Sequence, residues 1–320
     1  MKNVLIIKLG ALGDMIQAMP MFEAIHDNLI KNPQSNNNAT KAKLTLLTTT
    51  SFVALAKRLN LFDHIICDDR SSLKANLSAL RTLRQQSFNH IFDLQDVDRT
   101  RIYRFLLWRK YQKWIMAPRA TSCGAEHPYL RFKALCTTQK WPDITPPNGT
   151  CLMDPLTFPL PPTPYMLIIA GASDAHGGRK RWPQEKYANI CHRLLNYGIT
   201  PILIGGNDDR LDALTQALEK TNAVNLIGKT NLFQIATLAT HAIGALGNDT
   251  GPQLIAATMC PTLTLYSGAN PPEKGGAFAW NEALDKPRHT VLYTNHLTDL
   301  DTETVWGALM QKGFANYLLS

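Results

Sequence analysis

Two turns of one design, near opposite ends of the chain, constrain what it can fold into. Near the start, the apolar run Val4-Leu5-Ile6-Ile7 leads to Gly10-Ala11-Leu12-Gly13-Asp14. Far along, Ala242-Ile243-Gly244-Ala245-Leu246 leads to Gly247-Asn248-Asp249-Thr250-Gly251-Pro252. Each reads as a buried strand that stops at a tight, acidic, glycine-bearing turn and then opens a helix. Apolar strands of this kind belong in parallel sheets covered on both faces. In open sheets of that class, ligands bind outside the carboxyl ends of the strands, where these turns fall. Two such turns, so far apart in sequence, predict two α/β lobes facing one another across a cleft. The 320-residue length is also too great for one ordinary core.

Strand and helix patterns alternate on either side of a proline-bearing stretch. Strands are expected at 4–9, 44–48, 64–67 and 89–94, with helices at 14–29, 51–59, 73–86, 101–109 and 129–135. Pro155, Pro159, Pro161, Pro162 and Pro164 then forbid a regular helix or central strand. This stretch is the expected linker between a domain at 1–158 and a domain at 165–320. Beyond it, strands are expected at 165–170, 201–204, 224–227, 242–246 and 262–266, each ending in glycine or small polar residues. Helices are expected at 183–196, 211–220, 231–240, 253–259 and 302–315, the last of them able to pack back on the first lobe.

Charge narrows the partners. The formal net charge is +8 and the pI is near 9.2, which favours an anionic partner. The bases concentrate at 99–140, where Glu126 is the only acid. Tyr103, Trp108, Tyr111 and Trp114 interleave with those bases, as on single-stranded nucleic-acid surfaces. No RNA- or DNA-binding module accompanies them, so nucleic acid is not expected. The six cysteines are scattered without metal-ligand spacing, as in a reducing compartment. Lys8 and Asp14 interrupt the apolar start, which therefore reads as a first strand and not a secretion signal. The expected localisation is cytoplasmic, with contact at a membrane surface.

Several residues are candidates for chemistry. Asp14 caps a helix on the plain reading; on the functional one it is a carboxylate placed to take a proton from a hydroxyl. Lys180 lies among Gly177-Gly178-Arg179-Lys180-Arg181-Trp182-Pro183, between a glycine turn after Ser173 and a helix start. Such a cation neutralises a diphosphate, although most charge runs are solvated surface. Asp249, Thr250 and Gly251 open another helix, where Thr250 suits phosphate and Asp249 suits a sugar hydroxyl or anchors the loop. Asp208 and Asp209 follow Gly205-Gly206 like the acidic residue that binds ribose, or cap a helix. Gly228-Lys229-Thr230 lacks the earlier glycine of a phosphate loop, and Asp96-Val97-Asp98 is too short a match to imply a metal. No metal and no cofactor are expected.

Taken in order, these motifs resemble glycosyltransferase family 9, the bacterial heptosyltransferases of lipopolysaccharide core synthesis. The resemblance runs along nearly the whole chain. It begins with Lys8, Gly13, Asp14 and Pro20, and continues through Phe92-Asp93-Leu94-Gln95, Gly171-Ala172-Ser173, Lys180-Arg181-Trp182-Pro183 and Gly205-Gly206 with Asp208. It closes with Leu226 to Leu232, Asn248-Asp249-Thr250-Gly251-Pro252 and Ala256-Ala257. The resemblance implies a GT-B fold of two Rossmann-like lobes, with the acceptor on the first and the nucleotide sugar on the second. It implies a metal-independent, inverting transfer of heptose from ADP-heptose to an anionic lipopolysaccharide or lipid A core acceptor. Asp14 matches the general base, and Lys180 the lysine on the donor diphosphate. Asp249, Thr250 and Gly251 match the donor loop, and Ser173 a hydroxyl near the phosphates. Asp209 lies where ribose binds and Thr230 near the adenine. Lys8, Gly13, Arg101 and Arg104 fall on the acceptor side, and the basic 99–140 surface is expected to meet the acceptor and the inner leaflet of the membrane.

One position departs from the family pattern. Where members usually carry histidine, five residues after the donor-loop aspartate, this chain has Leu254, preceded by Gln253. A different nucleotide-sugar donor on the same fold is therefore a competing reading. From other classes come a dinucleotide-dependent oxidoreductase, disfavoured by the absence of GxGxxG, and a non-catalytic anion-binding protein.

Overall fold

The structure, a computed structural model, describes residues 3–31, 42–68, 73–107, 112–118, 126–173 and 177–311. The chain divides into two compact units, Met1–Pro147 and Asn148–Ser320.

In the first unit the strands are β1 (Asn3–Ile7), β2 (Lys43–Thr48), β3 (His64–Cys67), β4 (His90–Asp93) and β5 (Lys113–Met116). They form one sheet in the order β3-β2-β1-β4-β5, parallel throughout. The helices are α1 (Leu12–His26), α2 (Val53–Leu59), α3 (Leu73–Gln85), α4 (Asp98–Leu106) and α5 (Pro128–Gln139). β1 is the centre of the sheet, and Val4 to Ile7 are buried, which is why that run is apolar at every position and not at alternate ones. α1 buries Met15, Ile16, Met19, Phe22 and Ile25, on more of its circumference than one stripe. Strand order reverses between β1 and β4, so the turns leaving their carboxyl ends flank the topological switch point.

In the second unit the strands are β6 (Tyr165–Ile169), β7 (Thr200–Ile204), β8 (Val224–Asn225), β9 (Gly244–Asn248), β10 (Thr262–Ser267) and β11 (His289–Thr294). Their order is β11-β10-β9-β6-β7-β8, again all parallel. The helices are α6 (Gln184–Asn196), α7 (Asp212–Leu218), α8 (Leu232–His241), α9 (Gly251–Ala257) and α10 (Thr302–Gln311). Here the switch point lies between β6 and β9. α10 packs Val305 and Leu309 into this unit's core, and Arg193 of α6 pairs with Glu303. The expected end of that helix, 312–315, lies outside the described residues.

Two strands escaped the sequence patterns, β5 and β11. Both are edge strands, where half-burial removes the continuous apolar run that marks a central strand. The proline-bearing stretch lies within the second unit. The segment leading into it is tied to α8: Thr237 donates to the Asp154 carbonyl at 2.6 Å, and Gln234 Nε2 donates to the Pro155 carbonyl at 3.1 Å. Among the described residues, no helix is long and apolar enough to cross a membrane.

Candidate functional site

At the first switch point, Gly10 has φ +117°, and a Cβ there would collide with the Phe52 ring. Only glycine fits both constraints. The turn then delivers Ala11 as N-cap of α1. An alanine side chain cannot cap, so Asp14 reaches back and accepts the Ala11 N–H at 2.9 Å. Asp14 is thus not the N-cap residue itself but closes the first turn from the third helical position. This bond occupies Oδ2, and the half-buried carboxylate carries a second oxygen for other chemistry.

Lys8 lies beneath this turn. It is buried and donates from Nζ to the Leu94 carbonyl at 3.1 Å. Burial pushes its pKa below the ordinary lysine value, and the Arg131 charge adds to that effect. The Asp14 and Asp93 carboxylates oppose it. The Phe92-Asp93-Leu94-Gln95 segment builds the neighbouring turn. Asp93 Oδ1 accepts the N–H groups of Gln95 and Asp96 at 3.1 and 3.0 Å, and Gln95 Oε1 accepts the Leu9 N–H at 2.9 Å. The ends of β1 and β4 are therefore cross-tied, and Lys8, Asp14 and Asp93 belong to one electrostatic cluster.

The basic 99–140 window splits by role. Arg99 Nε donates to the fully buried Asp68 at 2.6 Å, and its guanidinium lies over the Tyr103 ring. Arg131 donates to the carbonyls of Pro118 and Ala117 at 2.6 and 3.3 Å and lies 3.5 Å from Asp96. Lys133 pairs with Asp143 at 3.2 Å. Arg99 and Arg131 are internal ties between strand ends and helices. Arg101 and Arg104 are exposed on α4. Arg109, Lys110 and Arg119 lie outside the described residues.

At the second switch point the donor-type residues converge. Lys180 Nζ lies 2.9 Å from Asp249 Oδ2, and the two side chains are only 15% and 11% exposed. The same oxygen accepts from Asn270 Nδ2 at 2.6 Å. Asp249 therefore holds both Lys180 and Asn270. The Asp249 charge and burial also push the Tyr266 hydroxyl far above its ordinary pKa, burial being the larger cause. Arg181, adjacent to Lys180, clamps the Ala172 carbonyl with Nε and Nη2 at 3.0 and 2.7 Å. Ser173 is exposed just beyond that clamp.

Asn248 holds these pieces in register. It is fully buried; Oδ1 accepts the Trp182 N–H at 3.2 Å and the Tyr187 hydroxyl at 3.0 Å, while Nδ2 donates to the Ala170 carbonyl at 2.7 Å. Asn270 was not singled out from sequence, Asn248 only as part of the donor-loop motif, and Arg181 only beside Lys180 as a base near the glycine turn. For Asn248 the available signal was an amide at the buried end of an apolar strand, which must find partners there. Two buried oxygens beside it, Thr250 Oγ1 and Gln253 Oε1, have no hydrogen-bond partner among the described residues. They line a small pocket with Asp249, Leu254, Tyr266 and Ala277, and Leu254 supplies part of its apolar wall.

The residues expected at the ribose and adenine lie on the loops after β7 and β8. Asp209 Oδ2 accepts the Gly206 N–H at 2.6 Å, and its carboxylate fills the space where Gly171 would carry a side chain. Gly228, with φ +69°, donates to the Gly205 carbonyl at 2.9 Å and brings half-buried Thr230 beside the same loop. Asp14, Lys8 and Gly13 thus belong to one cluster on the first unit. Ser173, Lys180, Asp209, Thr230, Asp249, Thr250 and Gly251 surround strand ends on the second. Among the described residues there is no group of three or more His, Cys, Asp or Glu side chains arranged to hold a metal ion.

Known proteins resemble this arrangement. Among solved structures, Escherichia coli ADP-heptose lps heptosyltransferase II superposes with a TM-score of 0.69 at 18% identity, covering 100% of this chain and 99% of its own. Escherichia coli heptosyltransferase WaaC, solved with ADP, gives 0.70 at 14% identity over 97% and 99%. At such identities the likeness establishes the fold: α/β, of the GT-B type. Lipooligosaccharide heptosyltransferase 2 of Haemophilus influenzae is 34% identical over 101 residues, 30% of this chain and 29% of that protein. The chain thus spans less than a third of that relative's length in the match. The family model for Glycosyltransferase family 9 (heptosyltransferase) matches residues 144–295. Those residues carry the whole second set of turns, and over them the chain is similar to glycosyltransferase family 9, the heptosyltransferase family.

Proposed function

We propose that the protein is a cytoplasmic, inverting glycosyltransferase that moves heptose from ADP-heptose to a hydroxyl of an anionic lipopolysaccharide core acceptor. The acceptor oxygen attacks the anomeric carbon from the face opposite the diphosphate. The bond from that carbon to the diphosphate oxygen breaks, and ADP leaves with the electron pair. The acceptor proton passes to Asp14, whose second oxygen is not taken up by the Ala11 cap. Charge developing on the leaving diphosphate is met by Lys180, so the reading assigns no step to a metal ion.

The observation that carries the reading is Lys180 at the second switch point. The cation is mostly buried and held by Asp249, the residue before Thr250, whose buried hydroxyl has no hydrogen-bond partner among the described residues. Asp209 and Thr230 take the nucleoside end on this reading, and Gly251 the loop backbone. The test is Asp14→Asn, assayed with ADP-heptose and truncated lipopolysaccharide acceptors, read by mass. Turnover should fall by about 10²- to 10⁴-fold while donor binding is retained. Wild-type turnover in that variant removes Asp14 from the base role.

Leu254 supports a second reading, in which the donor carries another sugar. It is buried and apolar where relatives of this type have a hydrogen-bonding ring, and it walls the pocket beside Asp249. A donor that binds the folded state at a hundredfold excess over its Kd stabilises it by about 2.7 kcal/mol. ADP-heptose should raise the melting temperature more than UDP- or GDP-sugars do. The reverse order makes the alternative donor the correct one.

A further inference from the structure

Besides Lys180, Asp249 has partners that carry no charge. Its Oδ2 takes the Asn270 amide at 2.6 Å as well as the Lys180 ammonium at 2.9 Å. The Tyr266 hydroxyl stands against the same carboxylate and donates to the Gly275 carbonyl at 3.3 Å. Burial first, and then the Asp249 charge, keep that hydroxyl protonated. One turn of chain presents both groups. Tyr266 lies near the end of β10, and the Asn270 N–H donates to the Ser267 carbonyl at 3.0 Å. The chain then passes through Pro271 and Pro272 and returns at Gly276, where φ is +113° and a Cβ would overlap the Tyr266 hydroxyl. Ala277 completes the return by lining the pocket beside Asp249. Both ends of the 270–277 loop therefore close on one carboxylate: Asn270 directly, and Gly275-Gly276 through Tyr266.

A buried carboxylate without donors is costly, and breaking a buried ion pair by removing one partner is costlier still. With Lys180 as its only donor, Asp249 would be stranded by any anion that drew the ammonium away. Asn270 and Tyr266 are neutral and fixed by the loop, so they remain when Lys180 leaves. Lys180 and Asn270 also share one oxygen. With the ammonium gone, that oxygen bears its full charge and the amide bond to it strengthens. The neutral pair thus stabilises the anion-bound state more than the free one.

We propose that Asn270 and Tyr266 are positioning residues that release Lys180 to an incoming diphosphate by holding Asp249 in place. This rests on the reading of Lys180 as the diphosphate cation. The experiment is calorimetric titration of the full chain with ADP and, separately, with inorganic pyrophosphate. Wild type should bind both. Asn270→Ala should bind each about tenfold more weakly, and Tyr266→Phe, which keeps the buried ring, about threefold more weakly. A merely structural role gives the same loss whatever stands at position 249. The proposal requires instead that the Asn270→Ala loss disappear in an Asp249→Asn background, where there is no carboxylate to hold. Unchanged affinity in Asn270→Ala and Tyr266→Phe overturns the proposal, as does an equal loss with and without Asp249. If wild type binds pyrophosphate but not ADP, and Asn270→Ala still weakens pyrophosphate, the proposal stands and the nucleotide-sugar reading falls. Wild type that binds neither ligand overturns both.

Discussion

Asn248 is wholly buried, and its amide reaches three separate segments through Trp182, Tyr187 and Ala170. It touches no residue of the proposed transfer step directly. Its effect passes through the turn that carries Lys180 and through Asp249, the next residue in the chain. Asn248→Leu strands a backbone N–H, a hydroxyl and a carbonyl in a dry site, at a cost of about 3 kcal/mol. The expected kinetic result is a donor KM raised about tenfold or more, with a smaller change in kcat, because the diphosphate cation loses its placement. Tyr187→Phe removes one bond of the set and should recover most of the donor affinity. If Asn248→Leu binds donor like wild type, Asn248 is only structural. The residue scale is also where sequence patterns say least. Asp14 and Lys180 announce themselves by charge at a turn, whereas Asn270 and Asn248 matter through partners 21 and 78 residues away along the chain, which spacing does not encode.

The elements themselves were mostly legible. β1, β2, β6, β7 and β9 are buried on both faces, so an unbroken apolar run marks them, and the expected and observed bounds differ by a few residues at most. β3 was placed at its observed ends, His64 to Cys67. β5 and β11 were missed because their half-buried side chains leave no unbroken apolar run, whereas β3, also at an edge, keeps the apolar pair Ile65-Ile66. α4 starts at Asp98, three residues before the position its apolar and basic residues suggest. The start is set by Val97 and Thr100: the Thr100 hydroxyl accepts the Val97 N–H at 3.2 Å, closing the first turn. A cap formed through a backbone N–H leaves no periodic signal, so helix starts were less visible than helix faces. The proline-bearing stretch was read as a connector from its conformational restriction alone. That restriction excludes helix and central strand, but it is silent on whether the segment is bonded to α8.

At the scale of the whole molecule, stability is coupled to acidity through a residue remote from either turn. His289 is buried against Trp280, with Nδ1 3.0 Å from the Thr262 hydroxyl. Burial, and secondarily the Arg288 charge, lowers its pKa to about 3 from the usual 6.5. The folded state therefore keeps the ring neutral where the unfolded chain protonates it. Between those two values the unfolded state binds the extra proton, so stability is full above pH 6.5 and is lost as pH falls toward 3. The loss from this group is about 1.4 kcal/mol per pH unit within the window. Urea unfolding of His289→Gln between pH 6.5 and 5 should show about 2 kcal/mol less acid loss than wild type. Identical slopes for the two proteins dismiss the assignment.

The Lys180–Asp249 pair has a consequence for what the second unit accepts. A diphosphate that takes Lys180 must exchange with a carboxylate already seated on it, in a site where both charges are mostly shielded from water. The resident carboxylate acts as a built-in competitor. Weak monovalent anions gain too little to displace it, while a ligand with two phosphates and further contacts from Ser173 to Asp209 gains enough. The cost of parting the pair falls equally on every anion, so it sets the affinity a ligand must reach, and on the proposed donor reading discrimination between a nucleoside diphosphate and free phosphate rests on the additional contacts.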